Sequence, residues 1–108
     1  MIDNYFSFSN LEDIDWKNIR MKYPKGFKNY MAYDSLEDFM IAFNCCIKVV
    51  EYLNTSPDFT YWETRVDCMN RAISVIGLNT FGEAKIKSIE YLFELVENQL
   101  ENDRFTNN

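Results

Sequence analysis

The sequence predicts an all-α protein, a small antiparallel helical bundle of three long helices plus an N-terminal helical segment. Three observations carry that expectation. Three glycines and two prolines in 108 residues are few for an all-β chain, which turns about every 8–12 residues. Apolar residues recur at three- and four-residue spacing along three long stretches. Capping signals stand at or near the start of each.

The N-terminal segment starts near Ser9–Asp13 and carries Leu11, Ile14, Ile19 and Tyr23, with Trp16 beside them. Pro24 and Gly26 end it, because proline lacks a donor and disfavours helix at the residue before it. Residues 27–33 form a further helical turn in this reading. The first long helix opens at Asp34-Ser35-Leu36-Glu37, a capping residue with an acid three positions on. It runs through Leu36, Phe39, Met40, Phe43, Ile47, Val50 and Leu53. Asn54-Thr55-Ser56-Pro57 stops it and starts the next, with proline at the favoured first position.

The next long helix carries Trp62, Val66, Met69, Ile73 and Ile76 on one stripe and ends at Gly77. Thr80-Phe81-Gly82-Glu83 is a second capping box. It opens a helix through Ile86, Ile89, Leu92, Phe93, Val96 and Leu100. The ends, 1–8 and 102–108, are expected to be less ordered, although the alternation in Tyr5-Phe6-Ser7-Phe8 also suits a short strand and Phe105 could dock. The chain is expected to be one domain, 1–108, the size of a single core.

Composition narrows the function. With no histidine, the commonest general base and metal ligand is missing, and Ser-His-Asp or Cys-His catalysis is excluded. No phosphate-cradling glycine loop is present. The expectation is therefore a non-enzyme without cofactor or metal. No apolar run reaches the roughly 18 residues of a membrane span, and the first residues lack the features of a signal peptide. A cytoplasmic location follows as an expectation. Cys45, Cys46 and Cys68 are expected to stay reduced, since adjacent cysteines pair poorly with each other.

Charge is the informative asymmetry. The chain carries 11 basic and 17 acidic side chains, a net −6. Between Trp16 and Tyr33 lie Lys17, Arg20, Lys22, Lys25 and Lys28 and no acid. On the last helix Glu90, Glu94, Glu97 and Glu101 fall on one face, with Tyr91, Leu95 and Asn98 alongside. Like charges at that spacing repel by a few tenths of a kcal/mol per pair, which a basic partner would relieve. These seven residues are the candidate partner-binding surface, and reversing charge at Glu94 and Glu97 is expected to spare the fold. The commoner role of such a stripe is a solvated face.

The functional expectation is a protein-binding inhibitor, an immunity protein (antitoxin) that neutralises a cognate, basic nuclease toxin through this acidic helix. A phage-encoded inhibitor of a bacterial defence nuclease, of the anti-CRISPR type, would have the same features. A nucleic-acid-binding module using the basic aromatic segment 16–33 is the alternative from another class. The acidic net charge opposes it, and packing of that segment across the acidic helix is the simpler role. A self-associating structural bundle, such as a homodimer, is the third.

Overall fold

The computed structural model describes the backbone of residues 2–5 and 10–106, and side chains from 10 to 102. The expectations for Phe6–Phe8 and for the Phe105 side chain lie outside the described residues. The fold is α+β and not all-α. Strand β1 (Ile2–Tyr5) is followed by α1 (Trp16–Lys22), α2 (Pro24–Tyr30) and α3 (Leu36–Ala42). Then come β2 (Cys45–Thr55), β3 (Asp58–Cys68), β4 (Arg71–Leu78) and α4 (Phe81–Thr106). The sheet is antiparallel in the order β1-β2-β3-β4, so β2–β4 form a meander and β1 joins its edge.

Two of the three expected long helices are thus strands, for identifiable reasons. The helix expected from Leu36 to Leu53 stops after Ala42 because Asn44 takes a left-handed backbone, φ 56°. Beyond it Ile47 and Val49 turn inward while Cys46 and Lys48 turn outward, a period of two. The stripe Trp62, Val66, Met69, Ile73 and Ile76 spans two strands and a turn. Met69 sits at the turn with φ 58°, and Cys68 pairs directly with Arg71. The turns are built without glycine, by Asn44 between α3 and β2, by Met69-Asn70 between β3 and β4, and by a cis Ser56–Pro57 pair between Thr55 and Asp58. Gly77, expected to end a helix, has the positive φ such a role needs but stands next to the last residue of β4.

The helix signals around these strands hold. Ser35 caps α3, its hydroxyl accepting the Asp38 N–H. At α4, Thr80 Oγ1 accepts the Glu83 N–H at 3.1 Å and the Glu83 carboxylate accepts the Asn79 N–H at 2.7 Å. Asp15 caps α1, and Pro24 does not simply end that helix: it opens α2 at its first position.

The core lies between one face of the sheet and α4. Ile47, Val49 and Val66 meet Ile89, Leu92, Phe93 and Val96, all nearly inaccessible to water. Thr64 and Ser88 cross this layer with a 2.5 Å hydroxyl–hydroxyl hydrogen bond, and Ser88 donates to the Ala84 carbonyl. An aromatic cluster closes the helical end: Trp16 stacks on Tyr30 at 5.1 Å, and Tyr30 and Phe39 both contact Phe93. Cys45 and Cys68, opposite each other in the β2–β3 ladder, form a disulfide, whereas Cys46 is an exposed free thiol. The expectation of three reduced cysteines failed because a helical reading hides that cross-strand register.

Candidate partner-binding surfaces

The acidic order of α4 is real, but it does not line a free face. Glu97 is 7% exposed and Leu95 4%. The Glu97 carboxylate accepts the backbone N–H of Gly26 at 2.6 Å and of Lys25 at 3.3 Å. Those amides open α2, whose first turn holds no acid and whose N-cap, Tyr23, makes no side-chain capping bond. A carboxylate from another helix therefore supplies the missing cap, where the helix dipole favours negative charge. Gly26 permits the approach: a Cβ there would lie 3.3 Å from the same carboxylate and 3.4 Å from the Phe93 ring.

The rest of the stripe continues along this seam. Glu101 is exposed and stands 4.0 Å from the Lys25 ammonium. Glu90 is half-buried and paired with Lys87 at 3.6 Å. Burial raises the Tyr23 phenol above its ordinary value, and the nearby Glu94 and then Glu90 raise it further. Tyr91 packs against the core, and Asn98 is half-buried. Of the seven sequence candidates, Leu95 and Glu97 are occupied inside the fold, Glu101 is exposed, and the other four are half-covered. Helix α2 of the basic segment packs against α4, and its Lys25 stands beside Glu101 there. The segment's aromatics are engaged too, since Trp16, Tyr23, Phe27 and Tyr30 all pack on the core.

A further ion pair of this kind was invisible to pattern. Lys85 has only 9% of its side chain exposed and bonds the Asn10 carbonyl at 3.0 Å and Asp13 at 3.1 Å. A cleft of about 430 Å³ lies between α2 and α4, lined by Lys25, Lys28, Asn29, Ala32 and Leu100. Among the described residues, no group of three or more Cys, Asp or Glu could hold a metal ion. No helix there is long and apolar enough to cross a membrane.

The surface that sequence reasoning missed is on the sheet. β1 begins with Ile2 opposite Glu51, and β4 ends with Leu78 opposite Trp62. Beyond those points, among the described residues, β2 and β3 pair only with each other as a two-stranded ribbon, Tyr52–Thr55 against Tyr61–Asp58. Phe81, the first residue of α4, meets Trp62 at the ribbon's base, 5.5 Å between rings. The chain is correspondingly elongated, 56 × 28 × 21 Å.

The ribbon is unusually apolar for its exposure. Leu53 is 66% exposed on one face and Phe59 50% on the other. Tyr52 stacks on Tyr61 at 5.1 Å, Phe59 tilts against Tyr61 at 5.8 Å, and the Tyr52 hydroxyl donates to Glu63 at 2.9 Å. The Asn54 side-chain amide donates to the Pro57 carbonyl at 2.7 Å and fixes the tip. Alternation of Tyr52, Phe59 and Tyr61 at cross-strand positions was the available signal, but a helical reading scattered them. No protein-family model matches the chain, and no curated protein or solved structure shows significant similarity to it.

Proposed function

We propose that this chain is a non-enzymatic protein-binding inhibitor, an immunity protein that neutralises a cognate toxin, and that it engages its target with the β2–β3 ribbon. The observation that carries this reading is the ribbon itself. An isolated pair of strands is at best marginally stable in water, yet this one presents Leu53 and Phe59 to solvent on opposite faces. Aromatic residues held by stacking lose little side-chain entropy on binding, which suits them as anchors. A narrow projection of this shape fits a concave site such as a toxin's active cleft. The α4 stripe is the weaker candidate, since its central carboxylate is committed to α2.

The test is to isolate the tagged chain with its partner from native cells and titrate that partner with variants. Phe59→Ala or Tyr61→Ala should weaken binding by about 2 kcal/mol, roughly thirtyfold, as a central aromatic anchor does. Glu94→Lys should change it little. The opposite ranking would return the interface to α4.

A further inference from the structure

The outer edge of β4 is the second feature of the sheet with an unexplained chemistry. We propose that it pairs antiparallel with β4 of a second copy, in the register that sets Ser74 opposite Ser74, to make one continuous eight-stranded sheet. This proposal is independent of the ribbon, which lies at the far end of β2 and β3.

An edge strand exposes a row of unpaired N–H and C=O groups, and proteins that stay monomeric blunt such edges with charge, proline, bulges or short length. β1, the other edge, has four residues, one of them Asp3. β4 has eight, Arg71-Ala72-Ile73-Ser74-Val75-Ile76-Gly77-Leu78, with no proline, no acid and one base at its very start. Its single irregularity is the register shift near Trp62 and Glu63, at its last residues. Ile76 is 55% exposed.

The proposed register is self-complementary on both faces. Residues opposite each other in an antiparallel pair must point to the same side. Ile73 would meet Val75 of the second copy on the helix side, and Ala72 would meet Ile76 on the open side, a small residue against a large one. Each contact occurs twice about the two-fold axis. Arg71 would lie over Gly77, which has no side chain and nothing within 4 Å of where a Cβ would be. It would then reach past Leu78 toward Glu83, whose carboxylate sits on the Asn79 amide. A basic group on one copy thus faces an acidic group on the other, twice, although the copies carry like net charge.

The experiment is sedimentation of the full-length chain over a range of concentrations, with three variants at exposed positions. Wild type should reach twice the 12.9 kDa monomer mass. Ser74→Lys places like charges opposite each other on the axis and should weaken the dimer by about tenfold or more. In a Cys46→Ser background, Ser74→Cys should be joined across copies by a short bifunctional thiol reagent. Ala72→Cys should not, because the offset separates its two copies by about 13 Å along the strands. A monomer at every concentration would overturn the proposal. So would a dimer indifferent to Ser74→Lys, or crosslinking at residue 72 rather than at 74. Unchanged far-UV circular dichroism of each variant shows that the monomer fold is intact.

Discussion

Replacing Glu97 with alanine should destabilise this protein more than any other change on the acidic stripe. The carboxylate is 7% exposed and receives the Gly26 amide at 2.6 Å and the Lys25 amide at 3.3 Å. A hydrogen bond to a charged group contributes about 1.5–3 kcal/mol net. The longer second bond adds less, and the helix-cap contribution of about 0.5–2 kcal/mol describes the same bonds and is not counted again. Alanine should therefore cost about 2–3 kcal/mol. For a domain near 100 residues that lowers the melting temperature by roughly 10–20 °C. Glu97→Gln keeps one oxygen for the Gly26 amide and should lose about half as much. Glu94→Gln removes a half-buried carboxylate that, among the described residues, accepts no backbone hydrogen bond, and should stay within about 0.5 kcal/mol. Urea unfolding followed by circular dichroism gives all three. If Glu97→Ala cost no more than Glu94→Gln, the capping of α2 by α4 would be wrong and the stripe would be a solvated face. The sequence-based expectation that Glu94→Lys with Glu97→Lys spares the fold is reversed: lysine at 97 would set a cation against the amides that open α2.

The disulfide, the buried phenols and the Thr64–Ser88 bond each set a further expected outcome. Without reductant one thiol per chain, Cys46, should titrate after unfolding, and three should titrate once the Cys45–Cys68 bond is reduced; opening that loop should cost roughly 3 kcal/mol, and three thiols from the start would refute the pairing. The raised phenol pKa values of Tyr23 and Tyr30 mean the folded chain holds protons that the unfolded chain releases above the ordinary value of 10.0. Stability should be unaffected by these groups below that pH and fall as pH rises through it, less steeply in Tyr23→Phe; a flat alkaline profile would contradict the burial of both rings. Thr64→Val should cost only about 1 kcal/mol, because Ser88 keeps its bond to Ala84, whereas a loss of several kcal/mol would mean a wider buried network.

How far the sequence could be read depended on where its local signals were complete. α4 was legible because a capping box and a long period of 3.6 agree there. Ser35 and Pro24 were legible as punctuation, although Pro24 opens a helix as well as ending one. β2 and β3 were not, because Trp62, Val66, Met69, Ile73 and Ile76 fall at helical spacing while belonging to two strands. The β-branched residues Ile47, Val49 and Val50, clustered within four positions, were the contrary signal. The hairpin turns at Ser56–Pro57 and Met69-Asn70 hold no glycine to announce them. At the candidate site, the ordering of Glu90, Glu94, Glu97 and Glu101 was visible but its destination was not. The one hint was α2 itself, a proline-led helix with no acid in its first turn and hence amides in need of an acceptor.

The choice between ribbon and acidic helix is decided most directly by hydrogen–deuterium exchange on the chain alone and bound to the protein that copurifies with it. Binding through the ribbon should slow exchange across residues 52–61 and leave 90–101 as in the free chain. Protection confined to 90–101, with 52–61 unchanged, would contradict it.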